Sequence, residues 1–301
     1  MIVTLDEIRE AAIKSGPKRL VIPSVDKHAL KTVSEAAALG LVYPVIIGRG
    51  KEMKDLIEET CDSIDFEFID TGSNRDPLVA AIEMLKEDRA DIMLRGAIDQ
   101  TTFVAAILND KNGLVNKEIA SFISLFQLET KLAMVTDSYI NNSPSLEEKR
   151  MIIENALELS SVLGIPSPRI AALTAIEQVN PNIPSTLDAA ILSKMSERGQ
   201  FRNAIIEGPI DIDCALSEKA AMRKGLKSPV TGNVDIYFVP DIEAGYSLSQ
   251  LLVFIGKLPM TSALAGTSKP VVLNLPFVSE ENRVTEIALA SLMCNGRNEE
   301  N

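Results

Sequence analysis

Short apolar and β-branched runs alternate along this chain with longer segments of helical periodicity. This alternation is typical of βαβ units, and it predicts an α/β fold with mostly parallel sheets. A length of 301 residues is sufficient for about two domains. The predicted strands are Arg19–Val25, Tyr43–Gly48, Asp65–Asp70, Ala90–Gly96, Lys131–Asp137, Arg169–Ile176, Asn203–Glu207, Val234–Pro240 and Pro270–Leu275.

Several helices between these strands have recognisable ends. Asp76-Pro77 combines a capping residue with a proline suited to the first helical turn, so a helix is predicted to start there. Ser145 and Glu148 have the spacing of a capping box, which predicts the start of a long helix. Gly164 is expected to end that helix.

Charge and hydropathy exclude some partners. The net charge of −12 repels polyanions, so nucleic acid is not an expected partner. No apolar run reaches the length of a membrane span, and the first ten residues carry acids rather than the bases of a signal peptide. We therefore expect a cytoplasmic protein with no membrane partner.

Histidine and cysteine usage narrows the possible chemistry. His28 is the only histidine, which excludes metal sites built from several histidines. Cys61, Cys214 and Cys294 are odd in number and far apart, so buried thiols are expected rather than a disulfide framework. No metal site is predicted.

Common nucleotide and hydrolase motifs are absent or broken. Gly48-Arg49-Gly50 follows a predicted strand, but Met53 stands where a dinucleotide fingerprint has its third glycine. The chain has neither a Walker A loop nor a G-x-S-x-G elbow. A dehydrogenase on a related two-domain fold is therefore the weakest of the functional hypotheses.

Small, hydroxylic and acidic residues follow the predicted strands. In parallel α/β sheets, ligands bind beyond the carboxyl ends of the strands, where backbone N–H groups and helix N-termini suit anions. These strand ends include the candidate substrate-binding residues, which are Arg95, Gly96, Thr136, Asp137, Gly208, Pro209 and Asp213.

Each candidate also has a purely structural explanation. Arg95 could form a surface ion pair, and Thr136-Asp137 could cap the following segment. Gly208-Pro209 could be a turn after its strand. Lys224-Gly225 is interpreted as a helix C-terminus and Cys214 as a buried thiol. No catalytic residue is predicted.

The strand-end motifs, taken in order, resemble the phosphate acetyl/butyryl transferase family, and the likeness is greatest to its phosphate butyryltransferase branch. Similarity extends over nearly the whole chain and is most specific between residues 131 and 245. The matching motifs are Thr136-Asp137, Asn155-Ala156, Leu163-Gly164-Ile165, Pro168-Arg169-Ile170-Ala171, Pro184-Ser185-Thr186, Asp188-Ala189-Ala190, Lys194-Met195, Arg198-Gly199-Gln200, Gly208-Pro209, Asp213, Lys224-Gly225, Asp235-Ile236, Pro240 and Ala244-Gly245.

This resemblance implies a two-domain, three-layer architecture like that of isocitrate dehydrogenase. Residues 1–136 and 269–301 would form one α/β domain, and residues 137–268 an inserted α/β domain. The implied reaction exchanges a short acyl group between coenzyme A and phosphate, with coenzyme A as substrate and no metal or redox cofactor. A homodimer or larger homo-oligomer is implied, with the site in the cleft between domains.

The chain departs from the family pattern at positions that handle anions. Leu275-Pro276 replaces a Ser-Arg pair, and Asn282 stands where the acetyltransferase branch has an Asp base. Gln250 and Ala106 replace basic residues. These losses leave open an alternative function, in which a catalytically degenerate family member binds coenzyme A or acyl-CoA as a sensor or partner subunit.

Overall fold

The computed structural model describes residues 1–60, 65–73, 75–116 and 118–295, and it shows the predicted α/β fold. Every predicted strand is present, and Cys61 lies outside the described residues. The strands are β1 (Lys18–Pro23), β2 (Val42–Gly48), β3 (Glu67–Asp70), β4 (Ile92–Leu94), β5 (Ser121–Gln127), β6 (Leu132–Thr136), β7 (Arg169–Leu173), β8 (Ile205–Ile210), β9 (Ile236–Phe238), β10 (Met260–Ala265) and β11 (Val271–Val272). The α-helices are α1 (Leu5–Lys14), α2 (Lys27–Ala38), α3 (Gly50–Thr60), α4 (Pro77–Lys86), α5 (Gln100–Ile107), α6 (Leu146–Val162), α7 (Pro184–Glu197), α8 (Ile212–Leu216), α9 (Glu218–Arg223), α10 (Ile242–Phe254) and α11 (Glu280–Asn295).

The chain divides into two compact units. The inserted unit comprises Met1–Val3 and Ser121–Pro259, and the terminal unit comprises Thr4–Ala120 and Met260–Asn301. These bounds differ from the predicted ones of 1–136 with 269–301, and 137–268. Strand pairing accounts for the difference, because β5 pairs with β6 and β6 with β9, whereas β10 pairs with β11. The first residues join the inserted unit because the Ile2 N–H donates to the Leu163 carbonyl at 2.9 Å.

The terminal unit is built on strands in the order β3-β2-β1-β4-β11-β10. Neighbours pair in parallel except β10, which runs antiparallel to β11. The last four residues of β1 are fully buried, as expected for a central parallel strand with both faces covered. α11 packs against α1 and α2 and brings a long buried face to β10 and β11.

The inserted unit has the strand order β5-β6-β9-β7-β8. β6, β9, β7 and β8 pair in parallel, while β5 forms an antiparallel pair with β6. The carboxyl ends of these four parallel strands therefore lie at one edge of the sheet, where ligands are expected.

The predicted helix ends are confirmed. Asp76 accepts a hydrogen bond from the Leu78 N–H at 2.8 Å, and Pro77 is in the first turn of α4. Ser145 and Glu148 form the reciprocal capping box of α6. Gly164 follows α6 with φ of 73°, a conformation that glycine adopts without a steric penalty. Within the described residues, no helix is both long and apolar enough to cross a membrane.

Candidate functional site

Asp137 lies directly after β6 and is almost completely buried. Its Oδ1 accepts backbone N–H groups from Phe122 at 3.2 Å, Tyr139 at 2.8 Å and Ile140 at 3.1 Å. Its Oδ2 accepts the Asn141 N–H at 3.1 Å and also the Asn141 side-chain amide. Burial raises the pKa of Asp137 against the lowering effect of these donors. The carboxyl group therefore organises the loop after β6, the capping role that the sequence left open.

The predicted residue pair at this position is closely packed. The Thr136 side chain is fully buried and donates to the Phe122 carbonyl at 3.3 Å. A Cβ on Gly245, in α10, would approach the Asp137 carbonyl oxygen to 2.3 Å. Glycine at this position thus allows α10 to contact the chain that follows β6, which explains part of the Ala244-Gly245 motif.

Gly208 and Pro209 lie within β8 rather than in a turn after it. The predicted strand ends at Glu207, but β8 continues to Ile210. β8 is the last strand in its sheet order, a position where proline is tolerated, and its register with β7 shifts between Ala171 and Leu173. A Cβ on Gly208 would lie 2.8 Å from the Ala172 Cβ. The glycine of this motif therefore allows β8 to lie close to β7.

Asp213 belongs to a charged cluster just beyond β8. The Lys224 ammonium contacts the carboxylate of Asp211, the N-cap residue of α8, and that of Asp213 at 2.9 Å. Glu177, in the segment after β7, is 3.8 Å from the same ammonium. Lys224 caps the C-terminus of α9 as predicted, but its side chain also connects the loops at this edge of the sheet.

Ionisation in this cluster follows from these contacts. Burial opposes the ionisation of Asp211, but hydrogen bonds from Cys214 and Lys224 outweigh it and hold the pKa of Asp211 at about 2. The hydrogen bond to Asp211 raises the pKa of Lys224, so the ammonium stays protonated. Burial, and then the Asp211 charge, raise the pKa of Cys214 to about 12, which keeps it a thiol.

Among the described residues, Asp211, Asp213 and Cys214 form a group of metal-ligand types. The Lys224 ammonium already pairs with both carboxylates, and a thiol with a raised pKa is a poor metal ligand. This donor set therefore favours a lysine-centred ion cluster over a metal centre.

Sequence reasoning missed a buried ion pair at the carboxyl edge of the inserted unit. Lys149 of α6 is 94% buried and lies 2.7 Å from the Asp188 carboxylate of α7. The pair borders a cavity of about 10 Å³, next to Ser185, Phe238 and Pro240. The only signal in the sequence was the Asp188-Ala189-Ala190 motif, which gave no indication of a lysine partner.

In the terminal unit, Arg95 follows β4 and binds backbone carbonyl groups. Nε donates to Leu273 and Nη1 to Ile98, both at 2.7 Å, and Nη2 donates to Asn274 at 2.9 Å. Arg95 therefore fastens the chain that follows β11 to the end of β4. Its predicted contact with an anion stays a prediction.

Gly96 is required by the backbone at this edge. Its φ is 64°, and a Cβ would lie 2.1 Å from the carbonyl oxygen of Ser24, which follows β1. The Ala97 N–H donates to that same carbonyl at 3.1 Å. Gly96 thus joins the loops after β1 and β4.

The segment Leu275-Pro276 follows β11 at the same edge. Leu275 is completely buried and Pro276 is exposed, so the first packs in the core and the second faces solvent. Neither side chain has a hydrogen-bond donor. Asn282, in the first turn of α11, is buried. Two of the departures noted in the sequence, Leu275-Pro276 and Asn282, therefore lie in the chain that follows β11, whereas Gln250 is in α10 and Ala106 is in α5.

Glu286 of α11 is a second group that the sequence did not single out. Its residue is 1% exposed, and its Oε1 accepts a hydrogen bond from the Ser262 hydroxyl of β10. Its Oε2 has no hydrogen-bond partner among the described residues. Burial raises the pKa of Glu286 to about 7 against the lowering effects of Ser262, Arg283 and Arg95. Its sequence signal was a charged residue preceding an apolar run.

The structure groups the predicted residues by unit. Thr136, Asp137, Gly208, Pro209 and Asp213 lie at the carboxyl edge of the inserted unit. Arg95 and Gly96 lie at the carboxyl edge of the terminal unit. Most of them hold loops in place, and the Lys224 ammonium contacts one of them, Asp213, directly.

Comparison with known proteins relates the chain to one family. The family model described as "Phosphate acetyl/butaryl transferase" matches residues 62–291. Phosphate butyryltransferase of Clostridium acetobutylicum is 33% identical over 301 aligned residues, which cover 99% of this chain and 100% of that protein. Phosphate acetyltransferase of Thermotoga maritima is 33% identical over 290 residues, which cover 96% and 99%.

The fold is likewise similar to a solved structure. A branched-chain phosphotransacylase from Enterococcus faecalis V583 superposes with a TM-score of 0.78 at 25% identity, covering 92% of this chain and 99% of that one. The similarity therefore extends over most of both chains and is not limited to one motif.

Proposed function

Because this chain belongs to the phosphate acetyl/butyryl transferase family, we propose that it exchanges a short acyl group between coenzyme A and phosphate. The observation that carries the proposal is the alignment with a phosphate butyryltransferase over nearly all of both chains at 33% identity. The chain is thus a phosphate acyltransferase, and coenzyme A is proposed as a substrate rather than a bound cofactor. No metal or redox step enters the proposed reaction.

The reaction sets clear requirements. A phosphate oxygen attacks the thioester carbonyl, the carbon–sulfur bond breaks, and the departing coenzyme A sulfur takes a proton. Donors are needed for the phosphate and for the oxyanion on the carbonyl. The carboxyl edge of the inserted unit carries Lys224 and that of the terminal unit carries Arg95, and both already bind oxygen atoms of the protein.

The segment Leu275-Pro276 changes which groups can donate hydrogen bonds to phosphate. A buried leucine and an exposed proline provide no side-chain donor after β11. We infer that backbone N–H groups and the remaining polar side chains bind phosphate, and that its affinity is lower than a Ser-Arg pair would give.

We also propose that the protein acts in the cytoplasm as a homodimer. Leu251, Phe254 and Ile255 are 51%, 57% and 75% exposed at the end of α10, and they follow the i, i+3, i+4 spacing of one helix face. A second copy of the chain is the occupant expected for this apolar face.

Light scattering after size exclusion tests the dimer. Wild-type protein should have the mass of a dimer, and Leu251→Glu with Phe254→Glu should give a monomer. Lys257→Glu adds an acid at an exposed position outside this face and should leave the dimer intact. A dimer that persists in the double variant would exclude this face as the interface.

A thiol-release assay tests the function. Purified protein is mixed with acetyl-, butyryl- or isobutyryl-CoA, with and without phosphate, and free thiol is followed with a chromogenic disulfide. We expect release that depends on both phosphate and protein. Calorimetric titration with coenzyme A accompanies it. If coenzyme A binds but none of the three acyl-CoA substrates releases thiol, the proposal is overturned in favour of a catalytically degenerate binder.

A further inference from the structure

The Glu286 carboxyl is hydrogen-bonded to β10, the strand that pairs with β11 just before the chain that Arg95 holds. β10 and β11 pair antiparallel with Leu264 opposite Val271, and continuing this register places Ser262 opposite Leu273. Ser262 donates its hydroxyl to Glu286. From the other side, Arg95 donates to the Leu273 carbonyl at 2.7 Å.

Residues 273–274, whose carbonyl groups accept hydrogen bonds from Arg95, have a constrained backbone. Asn274 has φ of 51°, in the left-handed region that asparagine tolerates better than most residues. Arg95 Nη2 donates to its carbonyl at 2.9 Å. Side-chain atoms close by in sequence have no partners among the described residues, namely Thr261 Oγ1 and Asn274 Oδ1. A small change in local charge can therefore rearrange polar contacts here.

We propose that Glu286 is a positioning residue, whose protonation state sets how firmly Arg95 holds residues 273–274 and hence the loop at Leu275-Pro276. This inference rests on the proposed function, because it concerns the carboxyl edge at which the acyltransferase would bind its anions. The protonated group is neutral and leaves the Arg95 guanidinium to the backbone carbonyl groups. The ionised group adds a buried negative charge that attracts it.

The charged neighbours of Glu286 come from a limited set of elements. Arg283 lies one turn earlier on α11, and its Nε has no partner among the described residues. Arg95 comes from the end of β4, while β10 and β11 contribute no charged side chain.

Charged residues of the two helices that pack on α11 contact other residues of that helix. On α1, Arg9 donates to Thr285 at 2.9 Å. On α2, Lys31 pairs with Glu280 at 2.8 Å, and His28 adds a charge effect on that same glutamate. The two arginines are therefore the cations that respond to Glu286. Burial places its pKa at about 7, within reach of ordinary assay conditions.

The first experiment measures kcat and KM for thiol release between pH 5.5 and 8.5. Glu286→Gln keeps the shape of the side chain and its hydrogen-bond acceptor but cannot ionise. We expect the wild-type profile to contain an inflection near pH 7 that this variant lacks. Glu281→Gln, an exposed position on the same helix, should keep the wild-type profile. An unchanged inflection in Glu286→Gln would overturn the proposal.

The second experiment does not need activity, so it separates this inference from the proposed function. Hydrogen–deuterium exchange of the peptide over residues 270–278 is measured at pH 6 and pH 8 and corrected for the intrinsic dependence of exchange on pH. Wild-type protection should change between the two values, and Glu286→Gln should have equal protection at both. Equal protection in the wild type would contradict the inference even if thiol release is observed.

Discussion

At the residue scale, the guanidinium of Arg95 shows why a motif is not yet a site. The sequence offered Arg95-Gly96 as an anion contact, yet three carbonyl groups accept hydrogen bonds from this arginine. Two of its acceptors are 178 and 179 residues away along the chain. A motif read locally cannot reveal such partners, whereas the position of Arg95 after a strand was predictable.

Pro276 is the position where a single residue tests phosphate binding. It is exposed and follows β11, so an arginine there can reach solvent without disturbing the core. We expect Pro276→Arg to lower KM for phosphate by roughly three- to five-fold, since an exposed ion contact contributes up to about 1 kcal/mol. Initial rates of thiol release at varied phosphate measure it.

The matched control for this variant is Ser279→Arg, which adds the same charge at another exposed position in the loop. It should change KM for phosphate less than Pro276→Arg does. Equal effects of the two substitutions would mean that only the net charge matters and that the position after β11 has no special relation to phosphate.

Gly245 tests the packing of the loop after β6. A Cβ at this position meets the Asp137 carbonyl oxygen at 2.3 Å, and a backbone atom cannot move aside as the end of a side chain can. Gly245→Ala should therefore lower the free energy of unfolding by about 1–3 kcal/mol, the range for overpacked cores. Urea denaturation measures the loss. Ser247→Ala, exposed on the same helix, is the control and should leave stability nearly unchanged.

At the element scale, the sequence predicted the parallel strands and missed two antiparallel ones. β5 is buried at six consecutive positions and β10 at all six, so neither shows the alternation that marks a half-buried strand. β5 also carries Ser121 and Ser124, and β10 contains four small residues beside Met260 and Leu264. Tertiary burial, rather than local pattern, makes these segments strands.

Helix caps were more predictable because their signals are local. In α6, Ser145 accepts the Glu148 N–H at 3.3 Å, and Glu148 accepts the Ser145 N–H at 2.7 Å. Ser145→Ala removes the hydrogen bond that the Ser145 hydroxyl accepts from the Glu148 N–H, and it should lower the free energy of unfolding by about 1 kcal/mol. Thermal and urea unfolding measure it. The same substitution at exposed Ser161, inside α6, should change stability little, and equal losses would contradict a capping role.

At the scale of the whole molecule, the chain leaves the terminal unit after Ala120 and returns to it at Met260. Family resemblance indicated this insertion, and its predicted ends differ from the observed ones because β5 and β10 were not recognised as strands in the sequence. The charged clusters were harder still. Lys224 with Asp211, and Glu286 with Ser262, join elements whose approach depends on the completed sheets. The residues that make such contacts are not separated by any recognisable spacing in the sequence.

The pH dependence of stability follows from the same buried groups. The pKa of Glu286 is raised from 4.5 to about 7, so the folded state binds this proton more tightly than the unfolded state. Its stabilisation is present in full below the unfolded value and is lost as pH rises through about 7. Asp211, with its pKa lowered to about 2, acts oppositely and only at more acidic pH. The molecule should thus lose stability between pH 4.5 and pH 8.

Glu286→Gln should remove the part of the pH dependence of stability that arises from the ionisation of Glu286. Relative to the wild type, the variant should gain roughly 3 kcal/mol between pH 4.5 and pH 8, since one pKa unit corresponds to about 1.4 kcal/mol. Urea unfolding at several pH values measures the difference between the two proteins, in which the contribution of Asp137 cancels. Glu281→Gln should follow the wild type at every pH. A difference that stays constant with pH would mean that Glu286 does not change its protonation state in this range and that the pH response of the terminal unit arises elsewhere.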